Sequence, residues 1–293
     1  MGATAIVPLD EGVVVRVAKA ALDEDAAGHD ATNEYVGIGE APVRGNIVLS
    51  APATVCGIDV ARAVFRQADG RIVFEAPLAD AAPAEAGAVV CSVRGPASSI
   101  LSAERTALNF LQRMCGVATQ ASRYVEAVRG TGVAILDTRK TTPLWRDLEK
   151  YAVRCGGARN HRRDLGSMVL VKDNHVRALG GREALLRRIA AQPRAPFVEV
   201  EVDSMEFLRE LLVSPAAGRI DRVMLDNFTP EQVGDAMRSI EAYRARGERL
   251  EVEVSGGITL ESIRSFAQPG VDFISVGAMT HSAVAIPMSL ELL

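Results

Sequence analysis

The stretch Met168-Val-Leu-Val-Lys-Asp-Asn-His175 shows the pattern that decides the fold, in which four apolar residues are followed by charged and polar ones. Such an apolar run favours a strand that is buried on both faces, and the polar cluster marks its end. The pattern recurs along the second half of the chain. The apolar runs are Val133-Ala-Ile-Leu136, Met168-Val-Leu-Val171, Phe197-Val-Glu-Val200, Arg222-Val-Met-Leu225, Leu250-Glu-Val-Glu-Val254 and Phe273-Ile-Ser-Val276.

The segments between these runs have room for helices, so the second half is predicted to form parallel strands with helices packed outside them. About 160 residues is short for eight strand–helix units, which usually take ~250. We therefore expect an irregular, incomplete α/β barrel with its active site at the carboxyl ends of the strands.

The first part of the chain is predicted to form a separate, sandwich-like α/β domain. Residues 11–24 have the pattern of an amphipathic helix with Asp10 as its cap, and short β-like runs follow. Two more helices are predicted, at 102–115 and 118–129. Arg105 lies beside the apolar face of the first of these helices, where its charge either extends to water or points into a site.

The composition is that of a globular protein, because 48% of the 293 residues are hydrophobic and 24% are charged. The start, Met1-Gly-Ala-Thr-Ala-Ile6, lacks the pattern of a secretory signal, and no apolar run reaches the ~18 residues of a membrane span. We therefore expect a cytoplasmic protein that does not bind membranes. The cysteines Cys56, Cys91, Cys115 and Cys155 are far apart in sequence, which predicts buried reduced thiols and no zinc site or disulfide framework.

A basic cluster stands out in this acidic chain. Between Arg139 and Arg177 there are ten Lys/Arg and four acidic residues, a local charge of +6 in a chain of net charge −4. A basic segment of this kind favours a site for a small polyanion over a nucleic-acid surface, for which a whole basic domain is typical. A solvated helix face is the alternative.

Polar or glycine residues follow every one of the apolar runs. In order they are Asp137-Thr-Arg-Lys140, Lys172-Asp-Asn-His175, Glu201 with Asp203, Asp226-Asn227, Ser255-Gly-Gly257 and Gly277. In barrels of this class the carboxyl ends of the strands build the active face. We therefore expect these groups to meet at one mouth.

The last two strand ends predict a phosphate site. Ser255, Gly256, Gly257 and Gly277 would let backbone N–H groups approach a phosphate, at the usual phosphate position of such barrels. A turn without a ligand is the alternative for the Gly-Gly pair alone.

Glu201 and Asp226 end adjacent strands, and they predict a Mg²⁺ site because Mg²⁺ binds one or two carboxylates together with substrate phosphates. An ion pair with the basic cluster is the alternative. Glu199, Glu251 and Glu253 alternate with apolar residues, so we expect their side chains to face away from the buried side of their strands.

The basic half of the mouth consists of Arg139, Lys140, His161, Arg162 and Lys172. Several arginines around one pocket indicate a ligand with more than one acidic group, because a guanidinium pairs with a carboxylate through two hydrogen bonds. Lys172 could instead form a Schiff base, since a strand-end lysine is also the arrangement found in aldolases.

Several long segments resemble motifs of one family. They are Ala103-Glu-Arg-Thr-Ala-Leu-Asn109, Asp137-Thr-Arg-Lys-Thr-Thr-Pro143, Leu148-Glu-Lys-Tyr-Ala-Val-Arg-Cys-Gly-Gly157, Asn160-His-Arg162, Lys172-Asp-Asn-His175, Glu201-Val-Asp203, Leu225-Asp-Asn-Phe228, Ser255-Gly-Gly-Ile258 and Val276-Gly-Ala-Met-Thr-His-Ser282. In fixed order over nearly the whole chain, they resemble the quinolinate phosphoribosyltransferase family, also called nicotinate-nucleotide pyrophosphorylase (carboxylating).

The resemblance implies an N-terminal α/β domain over 1–115, joined by the tail at about 280–293, a barrel over 116–279, and a homodimer. The implied reaction converts quinolinate and phosphoribosyl pyrophosphate into nicotinate mononucleotide, pyrophosphate and CO₂, with Mg²⁺, in NAD biosynthesis. The implied catalytic residues are Lys140, Lys172, Glu201 and Asp226, of which Glu201 and Asp226 also hold Mg²⁺. The implied substrate contacts are Arg105 from the neighbouring subunit, Arg139, His161 and Arg162 on the quinolinate carboxylates, Lys140 and Lys172 on anionic groups, and Ser255, Gly256, Gly257 and Gly277 on the 5-phosphate.

The sequence departs from the family pattern at Leu144, Trp145, Ala158, Asp164 and Ser167. Asp164 places an anion two residues from Arg162, which could retune the site for a less acidic substrate. A paralogue acting on another heteroaromatic carboxylate is therefore the alternative function. A binding protein without activity is disfavoured because every implied charged position is filled.

Overall fold

The computed structural model describes residues 6–293. The prediction that the start carries no secretory signal falls on residues before Ile6, which lie outside the described range. The chain divides into two compact units. The first contains the described residues up to Arg123 together with Thr141–Ala158 and Met279–Leu293, and the second contains Tyr124–Lys140 and Arg159–Ala278. The predicted division, 1–115 with the tail at about 280–293 and 116–279, stays a prediction. In these units the chain leaves the first and returns to it at Thr141.

The helices are α1 (Glu11–Glu24), α2 (Ala31–Val36), α3 (Ile58–Ala68), α4 (Ala97–Ala127), α5 (Arg146–Cys155), α6 (Asp173–Ala178), α7 (Arg182–Ala191), α8 (Met205–Val213), α9 (Pro230–Arg244), α10 (Ile263–Phe266) and α11 (Ala278–His281), with a 3-10 turn at Ala217–Arg219. The strands are β1 (Pro42–Leu49), β2 (Ala53–Thr54), β3 (Val73–Glu75), β4 (Pro83–Ala84), β5 (Val89–Pro96), β6 (Ala134–Leu136), β7 (Val169–Val171), β8 (Val198–Val202), β9 (Arg222–Asp226), β10 (Glu251–Ser255), β11 (Phe273–Ser275) and β12 (Met288–Leu292). Within the described range, none of these helices is both long and apolar enough to cross a membrane.

The first unit is built on an antiparallel sheet in the order β12-β1-β5-β3. The tail enters this sheet as β12, whose Met288 lies opposite Leu49 of β1. Helix α1 covers the predicted range and packs on α3. Its cap is also as predicted, because the Asp10 carboxylate accepts a hydrogen bond from the backbone N–H of Val13 at 3.0 Å.

A single helix, α4, runs through the region where two helices were predicted. Gly116 lies where the break was expected, but it serves close packing and does not form a turn. A Cβ atom at this position would lie 2.2 Å from the backbone oxygen of Val284 in the tail. The two-helix prediction was wrong because a glycine that admits a neighbouring backbone and one that ends a helix look alike in sequence.

The second unit is a parallel sheet in the order β6-β11-β10-β9-β8-β7. A closed barrel of these six strands would also pair β6 with β7. That pairing is missing among the described residues, so the barrel is open at this point. The free edge of β6 is bridged at Leu136 by the backbone of Arg159. The α/β class, with an irregular and incomplete barrel, is confirmed, and each predicted apolar run falls on one of the strands β6 to β11.

The middle residues of β8 and β10 are buried on both faces of the sheet, which corrects part of one prediction. Val198, Val200 and Val202 are buried on one face of β8, and Glu199 is fully buried on the other. Glu253 of β10 is likewise fully buried. The expectation that these side chains face away from the buried side was wrong for Glu199 and Glu253, because alternation marks a solvent face only in a sheet that is covered on one side. Glu251, at the start of β10, is half exposed.

Candidate active site

A cavity of about 480 Å³ opens at the carboxyl ends of the strands in the second unit. Ten of the predicted site residues line it, namely Arg139, Lys140, His161, Arg162, Lys172, Glu201, Asp226, Ser255, Gly256 and Gly257. The further lining residues are Asp137, Thr138, Leu170, Met224, Asn227, Glu253 and Ser275. Of the remaining predictions, Arg105 is exposed on α4 in the first unit and Gly277 follows β11, and neither is among the described lining residues.

The basic side of the cavity is organised around Asp137, which the sequence analysis placed among the strand-end residues of the mouth but to which it gave no role. This carboxylate is fully buried and directly follows β6. It accepts hydrogen bonds at 2.7 Å from the backbone N–H of His161 and from the Asn160 side-chain amide. Asp137 therefore fixes the loop that carries His161 and Arg162 against the end of a strand. Its place directly after an apolar run was the signal that could have identified it.

Arg162 is prepared to meet an anion. Burial lowers the pKa of its guanidinium, and the charge of Arg139 lowers it further. Its Nε is buried and has no hydrogen-bond partner within the described structure. A carboxylate bound here would satisfy that donor and offset the repulsion between the two arginines.

Lys172 and Glu201 form an ion pair on the cavity wall. This contact agrees with the alternative reading of Glu201 as a partner of the basic cluster. It also occupies the Lys172 amine with a carboxylate partner, whereas the alternative Schiff-base role needs that amine available to a substrate carbonyl.

The acidic side of the cavity consists of Glu201 and Asp226, on the adjacent strands β8 and β9. Burial raises the pKa of the Asp226 carboxyl, and the charge of Glu201 raises it further. Two carboxylates that repel each other across one cavity offer the oxygen ligands that Mg²⁺ prefers, and a divalent cation would relieve the repulsion. These residues therefore fit a Mg²⁺ ion that is also held by substrate phosphates.

The glycine loop after β10 is tightly packed on one side and open on the other. Gly256 has a φ of +99°, and a Cβ atom there would lie 2.3 Å from Oδ1 of Asn227. Gly257 has a φ of +60°, and nothing lies within 4 Å of the position a Cβ atom would take. A phosphate can therefore approach the backbone at Gly257, while only glycine fits at Gly256.

A group of buried charges, which we call the floor cluster, lies beneath these residues and consists of Glu199, Arg222 and Glu253. Arg222 Nη1 lies 3.0 Å from Glu253 Oε2 and 3.9 Å from Glu199 Oε2. Burial raises the pKa of Glu199 to about 7 and that of Glu253 to about 7, although Arg222 opposes both shifts. The sequence carried a signal for the acids, because Glu199 and Glu253 precede Glu201 and Ser255 by two residues and must share their face.

The positions that depart from the family pattern have local structural roles. Asp164 is half-buried, and its carboxylate accepts hydrogen bonds from Ser167 Oγ at 2.6 Å and from the N–H of Gly166 at 3.0 Å. Two of the departures thus contact each other. Trp145 stacks on Phe110 with ring centres 5.0 Å apart. Leu144 is 97% exposed and has a φ of +67°, a conformation that favours glycine.

The four cysteines are buried free thiols, as predicted. Donor atoms of Cys56, Asp80 and Cys155 lie within 4.8 Å of one another in the first unit. The Asp80 carboxylate already accepts hydrogen bonds from Tyr151 Oη at 2.7 Å and from the N–H of Ile58 at 3.1 Å. Burial raises the pKa of the Cys56 thiol and of the Asp80 carboxyl. This group is a poor metal site, because metal ligands must be deprotonated and a bound ion would displace the hydrogen bonds of Asp80.

The chain resembles known proteins over almost its whole length. The model of the quinolinate phosphoribosyl transferase N-terminal domain matches residues 30–115, and that of the C-terminal domain matches residues 117–291. A nicotinate-nucleotide pyrophosphorylase (carboxylating) from Mycobacterium leprae is 39% identical over 278 residues, or 93% of this chain and 94% of that protein. The human protein of the same name is 40% identical over 276 residues, or 92% and 89%. The structure of the nicotinate-nucleotide pyrophosphorylase from Francisella tularensis matches with a TM-score of 0.88 at 37% identity, covering 100% of both chains.

Proposed function

The chain belongs to the quinolinate phosphoribosyl transferase family, and we propose that it transfers phosphoribose from phosphoribosyl pyrophosphate to quinolinate with loss of CO₂, for NAD biosynthesis. The products are nicotinate mononucleotide, pyrophosphate and CO₂. The observation that carries the proposal is a single cavity with an arginine-rich side, a carboxylate pair and an open glycine loop. The arginine-rich side matches a dicarboxylate, the carboxylate pair matches a ribose diphosphate with its metal ion, and the glycine loop matches a 5-phosphate.

Arg139 and Arg162 bind the two quinolinate carboxylates, and the apolar Leu170 and Met224 lie in the same cavity to receive the pyridine ring. The partnerless Nε of Arg162 supports this assignment. Lys140 and Lys172 bind anionic groups of both substrates. Ser255, Gly256 and Gly257 bind the 5-phosphate, with Gly277 after the neighbouring strand.

Glu201 and Asp226 would hold Mg²⁺, as the repulsion between the two carboxylates supports. The chemistry that a bound Mg²⁺ supplies is neutralisation of the leaving diphosphate. The same two carboxylates face the ribose, where they can stabilise positive charge that develops at C1′.

The reaction needs two bond exchanges. The pyridine nitrogen forms a bond to C1′ as the C1′–O bond to pyrophosphate breaks, and Glu201 or Asp226 stabilises the cation-like ribose. The alkylated ring is then an electron sink, so the bond to the carboxylate next to the nitrogen breaks and its electrons pass into the ring. CO₂ leaves and a proton is taken up at that carbon. Arg139, Arg162 and Lys172 stabilise the negative charge during this step.

The active unit is a homodimer in which Arg105 of one subunit reaches the cavity of the other. Its exposure on α4 supports this, as does its absence from the described lining of its own cavity. An Arg105→Ala chain mixed with a Lys140→Ala chain should regain activity, because some mixed dimers keep one complete site. Buried free thiols suit a cytoplasmic location, where thiols stay reduced.

The decisive assay mixes purified protein with quinolinate, phosphoribosyl pyrophosphate and Mg²⁺ and measures nicotinate mononucleotide and CO₂ together. Equal amounts of both products, and their loss when Mg²⁺ is chelated, would support the proposal. Nicotinate, which lacks the second carboxylate, is the matched substrate control. Binding of phosphoribosyl pyrophosphate without turnover of quinolinate would favour a paralogue that acts on another heteroaromatic carboxylate.

A further inference from the structure

The His161 ring contacts the floor cluster through its Nε2 atom. His161 Nε2 lies 3.0 Å from Oε2 of Glu199 and 3.5 Å from Oε2 of Glu253. Both carboxylates are fully buried, and Arg222 supplies a positive charge beside both. The floor cluster thus offers His161 hydrogen-bond acceptors in a place that water does not reach.

The other ring nitrogen is also engaged. The backbone N–H of Arg162 donates a hydrogen bond to His161 Nδ1 at 2.7 Å. A nitrogen that accepts a hydrogen bond carries no proton, so the neutral imidazole has its proton on Nε2, where it is donated to Glu199. With both nitrogens used inside the protein, the ring has no N–H left for a substrate carboxylate.

His161, Glu199 and Glu253 also have donor atoms close enough together to suit a metal ion. Arg222 makes a metal unnecessary, because its Nη1 lies 3.0 Å from the Glu253 carboxylate and already supplies a cation. The ring of Phe273, whose centre lies 4.1 Å from the Arg222 guanidinium carbon, further stabilises this cation. The cluster is therefore a rigid polar support.

We propose that His161 is a positioning residue, which Glu199 and Glu253 orient so that its Nδ1 holds the backbone of Arg162 and aims that guanidinium into the cavity. The substrate carboxylates then meet arginines and not the imidazole ring, in contrast to the role that the family resemblance implied for His161. Asp137 holds the preceding N–H, so consecutive backbone groups are tied to fixed side chains. The kinetic part of this inference rests on the proposed function, and the state of the His161 ring does not.

The first test is nitrogen NMR of the wild-type imidazole groups at neutral pH. The chain has four histidines, and a His161→Gln variant identifies the signals of His161. The expected result is a neutral ring protonated on Nε2 alone. A proton on Nδ1 would overturn the proposal, whether or not the protein turns over quinolinate.

The second test compares Glu199→Leu with Glu199→Gln. Leucine removes the acceptor, which should raise KM for quinolinate about 10- to 100-fold while KM for phosphoribosyl pyrophosphate stays within about twofold. Glutamine keeps an acceptor oxygen and should restore most of the loss. Equal rises in both KM values, or a glutamine variant as poor as the leucine variant, would contradict a positioning role.

Glu251→Gln is the matched control, because Glu251 lies on the same strand as Glu253 and pairs with Arg222 at 2.7 Å but is half exposed. It should leave both KM values and the His161 signals unchanged. If Glu199→Leu fails to fold, the wild-type NMR result and the glutamine variant still decide the question. If wild-type protein does not turn over quinolinate, the proposed function fails while the imidazole measurement stands.

Discussion

The mouth of the cavity and the floor cluster beneath it use the same kinds of residue on the same strands with opposite effect. At the mouth, Glu201 and Asp226 line a cavity large enough for substrates. Two residues before Glu201, Glu199 is fully buried and faces His161 and Arg222. Two positions on the same face of one strand therefore differ in what they contact: the Glu201 carboxylate is available to a ligand, and the Glu199 carboxylate is engaged by other side chains of the protein.

This difference predicts whether a substitution should change mainly the stability of the protein or mainly its turnover. A buried charge whose partner is removed stays uncompensated, so variants of the floor cluster should act first on stability. A mouth charge gains its strongest interactions only in the reaction, so its removal should act first on turnover. Each prediction below tests this division, beginning with the largest expected effect.

Arg222→Met should break the floor cluster most severely. It removes the cation between two buried carboxylates and should lower the free energy of unfolding by about 3–5 kcal/mol. Urea denaturation at neutral pH measures the loss. Arg187→Met is the control, because Arg187 forms only an exposed pair with Glu183, and it should cost about 0.5 kcal/mol or less. Similar losses in both variants would show that the floor cluster does not differ from the surface.

Glu201→Gln should lower turnover strongly and the stability of the protein only slightly, the opposite of Arg222→Met. It keeps the shape of a mouth residue but removes its charge, so kcat should fall about 10²–10³-fold. The free energy of unfolding should change by about 1 kcal/mol or less, since its partner Lys172 is partly exposed. Steady-state kinetics over a range of Mg²⁺ concentrations, beside urea denaturation, measure both. Unchanged activity and metal response would remove Glu201 from the site.

The pH dependence of stability should reveal Glu253. Burial raises its pKa in the folded protein from 4.5 to about 7, so the folded state keeps a proton that the unfolded state has lost. Its contribution to stability is greatest below pH 4.5 and falls as pH rises to about 7, by up to about 3 kcal/mol. Relative to Glu253→Gln, the wild-type protein should therefore lose stability across this range in urea denaturation. Parallel curves would mean that Glu253 is not the group that titrates.

Arg139→Ala tests whether the two substrates bind to different residues of the mouth. KM for quinolinate should rise about 30-fold, and KM for phosphoribosyl pyrophosphate should rise far less, because the lost guanidinium meets a carboxylate. Arg163→Ala is the control, since Arg163 is exposed and pairs with Asp164. Equal effects of Arg139→Ala on both substrates would sink the assignment.

Leu144→Gly should give the smallest effect. Leu144 belongs to neither the mouth nor the floor cluster, and the substitution changes the free energy of unfolding through the backbone conformation and not through charge. Relief of the left-handed conformation should raise the free energy of unfolding by about 0.5 kcal/mol, after the greater freedom of glycine in the unfolded chain is counted. Leu144→Ala keeps the Cβ atom and should bring no gain. An equal gain in both variants would trace the effect to the exposed side chain.

The sequence alone determined the α/β class, the strands β6 to β11 and most of the mouth. Apolar runs of strand length are a local property, and parallel strands bring their carboxyl ends to one edge whatever the details of packing. Lys172, Glu201, Asp226 and Ser255 could therefore be assigned to one cavity from their positions after such runs. The cap at Asp10 was equally local, because a carboxylate before a helix bonds to the N–H groups of its own first turn.

Only the tertiary structure decided what depends on neighbours distant in sequence. The tail crosses α4 at Gly116, so a residue that suggested a break lies inside one helix. Glu199 and Glu253 alternate with valines whether they face water or a closed interior, and only the second covered face of the sheet turns them inward. Arg222, His161 and the two acids meet across three strands and a loop, and their contacts, not their spacing, make them a support for the site. Local pattern fixes which residues share a face, and packing alone determines what that face meets.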